Sequence, residues 1–439
     1  MRPTLFILLL AALALAGGRP ACAADPDTLG AAPPGLLEFA PLAPDSDSVA
    51  APSHPDAGCV SEGEWLSAPF GERLLTEPEA WRARRSHGSR HDGRLELIAD
   101  YNRVDLFRIG FAGETQDPST MAPRIGGRFE YATGRRRALY GVQLEQPLLP
   151  PGRLAFGVSM SRRTDHSELQ QVDDVENSLA LLLACQDYRD YFEREGFGAY
   201  LAWRVPDFSV ISVHARNDTY RSLRLQGGTR SIFERHRALR DNPEVDEGDI
   251  HAVLLRLERQ TRRTARTRTG FYHWIEFERA GHGLGGDFTY TRALADLRSV
   301  LRLSPTAALA LRAVGGTTAT GVLPAQKEFI TGGVDGLRAH AFAQYRGNQL
   351  LLAQAEYTTA LWPVRPRRFH DGLHAIAFVD AGGAWEDTGH EWWLDRQQMQ
   401  VDGGFGLTTS EDNLRVYVAR NLQRPRSSAV FSLRLQRPF

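Results

Sequence analysis

Period-two alternation of apolar and polar residues runs through most of this chain, from Arg94 to Phe439. Near the C-terminus, for example, Phe431, Leu433 and Leu435 alternate with polar residues. A period of two places alternate side chains on opposite faces of a β-strand. Gly, Pro, Asn and Asp separate these segments, and many are about 8–12 residues long, which suits a strand that crosses a bilayer at a tilt. The sequence therefore predicts an all-β fold of many amphipathic strands.

A sheet with this many strands has two edges whose backbone groups need partners. Closing the sheet removes both edges, and in lipid closure is required because unpaired backbone groups find no water there. We therefore expect a transmembrane antiparallel β-barrel of about 16 strands, within a range of roughly 12 to 16. A periplasmic β-sandwich or propeller would use the same alternation and is the soluble alternative.

One segment of this region is ambiguous in its secondary structure. Between Val172 and Phe192, the residues Val175, Leu179, Leu182 and Leu183 repeat at helical rather than strand spacing. The sequence leaves helix and strand open here.

Charge, cysteine content and motif content exclude several other classes. The 439 residues include 52 Lys and Arg against 53 Asp and Glu, a formal charge of −1. Nucleic-acid-binding domains carry a basic excess, so we expect no nucleic-acid partner. Three cysteines are too few for a disulfide framework, and whether Cys59 and Cys185 pair is left open. Signatures of hydrolases, phosphate-binding loops and zinc sites are missing, so we expect no enzyme, cofactor or metal.

The N-terminal region has a different composition from the alternating part. Arg2 precedes an apolar run from Leu5 to Ala16, and small residues flank Cys22 at the end of residues 1–23. This pattern predicts a secretory signal peptide that is cleaved near Ala23. Residues 24–93, which are rich in Ala, Pro, Asp and Ser in their first half, predict a disordered linker and a short periplasmic segment. The barrel is then expected over residues 94–439.

Three segments in order carry a family resemblance. The first holds Gly332, Gly333, Leu337, Arg338, Gly347, Asn348 and Glu356; the second is Phe378–Gly382, with Asp380 and Gly382; the third is the last strand, with Phe431, Leu433, Leu435 and Phe439. Together they resemble the BamA/TamA-like bacterial surface antigen superfamily of outer-membrane barrels. Their order and spacing over Gly332–Phe439 are more specific than any one motif.

The resemblance implies a long loop that folds back into the barrel. Arg338 at its tip would then meet Asp380 on the wall, with Phe378 offering its ring to the guanidinium. Ala339 and His340 depart from the family pattern, which has Gly and an aromatic residue there. The terminal alternating strand that ends at Phe439 would be the signal for assembly by the host's barrel-assembly machinery.

The resemblance also implies a role and a location. We expect a protein of the bacterial outer membrane that acts in membrane biogenesis, inserting barrel proteins or translocating a polypeptide. A seam between the first strand (near Asn102–Gly113) and the last (Val430–Phe439) would open for the client. Expected partners are outer-membrane lipids, lipopolysaccharide, and unfolded outer-membrane proteins or a secreted polypeptide. Residues 24–93 leave too little room for the family's periplasmic receptor domains, which predicts a barrel-only member. The alternatives are a passive pore and a structural barrel that anchors a partner.

Overall fold

The computed structural model describes most of the chain from residue 94 onward. The described residues are 94–115, 121–149, 153–205, 209–229, 231–233, 239–259, 270–304, 306–362, 372–387, 398–409, 414–424 and 426–435. The predicted signal peptide (1–23), the predicted linker and periplasmic segment (24–93) and Phe439 lie outside them.

Strands dominate the described residues. In chain order they are β1 (Arg94–Asn102), β2 (Leu106–Glu114), β3 (Arg124–Ala132), β4 (Arg137–Leu149), β5 (Leu154–His166), β6 (Tyr191–Arg204), β7 (Val210–Ser222), β8 (Gly248–Arg259), β9 (Gly270–Ala280), β10 (Tyr290–Ser304), β11 (Ala307–Gly321), β12 (Phe329–Thr331), β13 (Tyr345–Gly347), β14 (Gln349–Trp362), β15 (Leu373–Trp385), β16 (Gln400–Thr409), β17 (Arg415–Asn421) and β18 (Val430–Arg434). The helix α1 (Asp174–Ala184) lies between β5 and β6, and a short 3-10 helix (Ala325–Lys327) precedes β12.

A single antiparallel sheet contains 16 of these strands, each paired with its neighbours along the chain. β12 and β13 form a separate hairpin, so β11 pairs directly with β14. Within the described residues no backbone ladder joins β1 to β18. The all-β fold and the number of strands predicted from the alternation are confirmed.

The two faces of the sheet differ in polarity, as the alternation predicts. In β2, Phe107 and Ile109 are exposed while Arg108 between them is buried; in β18, Leu433 is exposed and Arg434 is buried. Exposed apolar side chains on one face suit contact with lipid, and the other face lines a polar interior. Buried charged residues of that interior include Asp100, Glu130, Glu145, Glu276, Glu278, Arg292, Asp296, Arg312, Asp380 and Arg415. No helix in the described part of the chain is long and apolar enough to cross a membrane.

The first strand lies earlier than the sequence predicts. The expectation of a first strand near Asn102–Gly113 is wrong, because β1 ends at Asn102 and most of that segment is β2. The Asn102 side chain accepts hydrogen bonds from the backbone N–H groups of Val104 and Asp105, at 3.1 and 2.7 Å. An Asn side chain that bonds the backbone just after it builds a tight turn. This turn is so short that the alternation of apolar and polar residues does not reveal it in the sequence.

The ambiguous segment between β5 and β6 contains the helix α1. The Asp173 side chain accepts a hydrogen bond from the backbone N–H of Val175 at 2.9 Å and so caps the N-terminus. Cys185, with φ of 56°, ends the helix in the left-handed region. The buried face of α1 holds Glu176, Asn177 and Leu181, whereas the apolar residues Val175, Leu179 and Leu183 are exposed. This is the reverse of an ordinary surface helix, because the interior that α1 faces is polar.

Candidate functional site: an inward loop anchored to the sheet

The connection from β11 to β14, residues 322–348, folds against the polar face of the sheet and is here named the inward loop. Phe329 at its start and Leu337 near its tip are both fully buried. The loop carries charged side chains into this interior as well. Three of its charged residues meet partners on the sheet, and these contacts form the candidate site.

The first anchor is Arg338, at the tip of the inward loop. Its Nε and one terminal nitrogen donate to the two carboxylate oxygens of Asp380 in β15, at 2.8 and 2.7 Å. Its other terminal nitrogen donates to Glu356 in β14 at 3.0 Å. The guanidinium carbon lies 3.6 Å from the ring centroid of Phe378 and 4.9 Å from that of Tyr417. Because Arg338 is only 3% exposed, these two-pronged and ring contacts take the place of nearly all of its contact with water.

Charge is balanced around this anchor. Burial by itself lowers the pKa of Arg338, but the carboxylates of Asp380 and Glu356 outweigh it, and the net pKa lies above its usual value. Glu356 is held in turn by Arg415 of β17 at 2.5 Å and by the Tyr417 hydroxyl, which donates to it at 3.1 Å. Two arginines therefore share two carboxylates, which satisfies the condition for burying ions without a large penalty.

The backbone of the loop tip is also bound to the wall. The N–H of Ala339 donates to the Asp402 carboxylate in β16 at 2.8 Å. His340 lies 3.3 Å from the same carboxylate through its Nε2. Ala343 of this loop has a positive φ of 49°. Ala339 is not among the described non-glycine residues with positive φ. The absence of glycine at Ala339 is therefore accommodated, because the left-handed turn falls elsewhere in the loop.

The second anchor, Lys327, was not predicted. Its ammonium group lies 2.9 and 3.1 Å from the two carboxylate oxygens of Glu278 in β9. The Tyr290 hydroxyl also donates to Glu278, at 2.9 Å. Burial lowers the pKa of Lys327, but the Glu278 charge outweighs it and the net pKa is raised well above the usual value. Lys327 is the only lysine of the chain, and that exception is the one signal in the sequence that would have drawn attention to it.

The third anchor, Asp335, joins the inward loop to the last strand. Arg434 of β18 donates to the Asp335 carboxylate at 2.9 Å and to the Val334 carbonyl at 3.1 Å. The backbone N–H of Gln171, just ahead of α1, donates to the other carboxylate oxygen at 2.9 Å. Arg434 also donates to Glu176 of α1 at 2.5 Å. The loop tip, the last strand and α1 thus meet at one arginine.

The remaining motif positions shape the two ends of the loop. Gly332 and Gly333 have φ of 114° and 84°, which side chains resist. A Cβ at Gly347 would lie 2.1 Å from the Trp385 backbone, and a Cβ at Gly382 would lie 2.4 Å from a β14 carbonyl. The Asn348 amide nitrogen donates to the Asp387 carbonyl at 2.8 Å. Gly347 and Asn348 thus hold the start of β14 close to the end of β15.

The proposed assembly signal is placed only in part. Phe431 and Leu433 lie on the exposed apolar face of β18, and Leu435 is half-buried just after the strand. Phe439 lies outside the described residues. The described side chains contain no cluster of His, Cys, Asp or Glu arranged to hold a metal ion.

A substitution at Gly332 tests whether the entry to the loop tip needs glycine. Gly332→Ala should lower the free energy of unfolding by more than about 1 kcal/mol, because φ is positive and the new Cβ would lie 2.5 Å from the Ala341 carbonyl oxygen. Urea unfolding in detergent micelles measures this. Gly227→Ala is the matched control, since no atom of the described residues, apart from its chain neighbours, lies within 4 Å of its Cβ position. Equal midpoints for the two variants would contradict the expectation.

The Omp85 superfamily domain matches residues 125–439, which begin in β3 and leave β1 and β2 ahead of the match. A search of curated proteins gives no match.

Among solved structures, the chain is similar to BamA from Haemophilus ducreyi lacking POTRA domains 1–3, with a TM-score of 0.52 and 11% identity over 78% of this chain and 70% of that one. CdiB from Acinetobacter baumannii gives a TM-score of 0.41 and 12% identity over 78% of this chain and 59% of that one. CdiB from Escherichia coli gives a TM-score of 0.42 and 11% identity over 78% of this chain and 62% of that one. This chain therefore spans less than two thirds of either CdiB chain. The likeness to BamA is one of fold.

Proposed function

This chain belongs to the Omp85 superfamily, and from that premise we propose that it acts in outer-membrane biogenesis, inserting barrel proteins or translocating a polypeptide. Membership in the family, together with the fold, makes it an outer-membrane β-barrel. The proposed mechanism breaks no covalent bond and needs no enzyme activity, metal or cofactor. Its working parts are the edges of the sheet and the interior contacts that hold them.

The observation that carries the proposal concerns β1 and β18. Within the described residues these strands share no backbone ladder, and they are linked instead through side chains of α1 and the inward loop. Side-chain contacts exchange partners one at a time, whereas a ladder must break along its length. We therefore infer that these two edges separate more readily than strands joined by a long backbone ladder. A separated edge offers unpaired N–H and C=O groups that an incoming strand can extend.

The anchors of the inward loop support the same proposal. Arg338 and Lys327 fix the loop to β15 and β9, so the loop stays in place while the edge moves. Among the contacts of the described residues, only those that Arg434 makes with Val334 and Asp335 join the loop to β18. The client would be an unfolded outer-membrane protein or a secreted polypeptide, and membrane lipids with lipopolysaccharide would surround the opening. We propose that the chain itself reaches the membrane through the host's barrel-assembly machinery, which would read its last strand.

Insertion of a small barrel protein into liposomes tests this function. An unfolded client is diluted from urea into liposomes with or without the reconstituted protein, and its folded band is followed on unheated gels. Faster folding with the native protein, but not with heat-unfolded protein, is the expected result. Arg338→Ala should remove most of the acceleration, while Arg420→Ala should keep it, because Arg420 is exposed and bonds only the Ser427 carbonyl in the described contacts.

A passive pore is the second candidate, and the charged interior favours it. Planar bilayers decide between the two. Stable conductance by the native protein together with no acceleration of client folding would overturn the biogenesis proposal and support the pore. A structural barrel would give neither signal, and a stoichiometric partner lost on deletion of residues 24–91 would favour it.

A further inference from the structure

The helix α1 contacts both edge strands of the sheet. Its Ser178 hydroxyl accepts a hydrogen bond from the backbone N–H of Tyr101 in β1 at 2.9 Å and donates to Asp100 at 2.6 Å. Its Glu176 carboxylate accepts from Arg434 in β18 at 2.5 Å. Two neighbouring side chains of one helical turn thus hold the first and the last strand.

The Tyr101 N–H points toward the free side of β1. Its partner in β2, Phe107, directs both of its backbone groups to the other side, where its N–H donates to the Thr133 hydroxyl at 3.1 Å and its carbonyl accepts from the Thr133 N–H at 2.9 Å. In a non-hydrogen-bonded pair of an antiparallel ladder, the backbone N–H and C=O groups of both residues point away from the partner strand. Ser178 therefore occupies an edge position that a neighbouring strand would otherwise use.

The orientation of α1 follows from helical geometry. At about 100° per residue, Ser178 and Glu176 stand about 160° apart around the helix axis. Val175, Leu179 and Leu183 all fall inside that arc and are 52%, 37% and 41% exposed. The buried residues of the helix other than Glu176 fall outside the arc, on the side of the polar interior. The exposed apolar stripe therefore points out between β1 and β18.

The apolar stripe continues the outer surface of the sheet on both sides. Phe107, paired with Tyr101, is 52% exposed, and Leu433, next to Arg434, is 48% exposed. Both lie on the face that suits lipid. The apolar stripe is flanked by two apolar strand faces. Contact of this surface with hydrocarbon is more favourable than contact with water, because transfer of apolar surface out of water lowers the free energy.

We propose that α1 fills the gap between the edges of β1 and β18, with Val175, Leu179 and Leu183 in contact with the hydrocarbon of the bilayer. Its polar side closes the interior, and Ser178 covers the edge of β1. The next step rests on the proposed biogenesis function, whereas the placement of α1 does not. In that function, an incoming strand can pair with the edge of β1 only after it displaces α1. Because Arg434 binds both Glu176 and Asp335, displacement of α1 also loosens the inward loop from the last strand.

Spin labels measure the placement of the apolar stripe without any assumption about function. In a Cys59→Ser/Cys185→Ser background, a label at Leu179→Cys is compared with labels at Phe107→Cys, on the outer face of β2, and Gly227→Cys, in an exposed turn. Collisions with oxygen report lipid, and collisions with a water-soluble nickel chelate report solvent. Leu179 should behave like Phe107. Solvent-dominated collisions like those at Gly227, or protection from both reagents, would overturn the placement.

A disulfide lock tests the displacement of α1. In the same background, Asp100→Cys/Ser178→Cys joins α1 to β1, and the oxidised form should lose the acceleration of client folding, with recovery on reduction. Thr219→Cys/Asp249→Cys is the matched control, because that hydrogen-bonded pair at 2.5 Å joins β7 and β8, which are already paired.

The outcomes of the two experiments separate two failures. Insertion by the locked protein at the native rate overturns the displacement of α1. Absence of insertion by the unlocked native protein overturns the proposed function instead, and the collision data then still decide whether α1 faces lipid.

Discussion

Arg338→Ala should destabilise the folded protein by about 3–5 kcal/mol, because removal of one partner leaves buried carboxylates without a counter-charge. Asp380 would lose both of its contacts with the guanidinium, and Glu356 would keep one arginine, Arg415, together with the Tyr417 hydroxyl. The loop tip would also lose its contact with the Phe378 ring. The temperature at which the folded gel band converts to the unfolded band measures the loss.

Two further variants sharpen this experiment. Arg338→Lys keeps the charge but loses the two-pronged geometry, so its conversion temperature should lie between those of the native protein and Arg338→Ala. Arg420→Ala removes an exposed arginine from the same part of the sheet and should leave the temperature within error of the native value. A native conversion temperature for Arg338→Ala would show that the anchor contributes nothing to stability.

Lys327→Met should cost a similar amount, about 3–5 kcal/mol, because it leaves Glu278 buried without its nearest cation. The double variant Lys327→Met/Glu278→Gln should recover much of this loss, since a neutral amide needs no counter-charge and can still accept from Tyr290. Arg292, 3.6 Å from Glu278, would retain Glu168 at 3.2 Å. Urea unfolding of the native protein, both single variants and the double variant gives the coupling energy. Additive single effects would contradict a direct ion pair.

Chemical labelling offers an independent view of the same pair. As the only lysine, Lys327 gives a unique amine-labelled internal peptide. Its buried ammonium should react slowly with an amine reagent in the native protein and faster in Glu278→Gln, which removes the carboxylate that holds it. Peptide mass spectrometry separates this signal from the N-terminal amine. Equal rates in the two proteins would mean that Glu278 does not protect Lys327.

Much of the fold was predictable because alternation is a local property. The alternation within a few residues indicates the two faces of each strand, and the number of alternating segments predicts the number of strands. The resemblance over Gly332–Phe439 placed Arg338, Phe378 and Asp380 in one contact, and the structure brings these three together. It also indicated the family to which the chain belongs.

Other features left no local trace. The boundary of β1 depends on the Asn102 side chain, which stabilises a three-residue turn. The period-two pattern of the sequence does not show a turn this short. The helical spacing of Val175, Leu179 and Leu183 was visible, but the direction of that stripe was not. A helix in a soluble protein turns its apolar side inward; this one turns it outward because the interior of the sheet is charged.

The sequence by itself determined the all-β fold, the two faces of each strand and, through its ordered motifs, the family. Only the tertiary structure decided which charges meet. Arg434 and Glu176 are 258 positions apart in the chain, and Lys327 and Glu278 are 49 apart. The alternation shows which arginines and carboxylates lie on the inner face of the sheet, but it does not show which of them form ion pairs with each other. Curvature of the sheet and the path of the inward loop select among them, because an ion pair in a low-dielectric interior requires contact distance and not merely the same face.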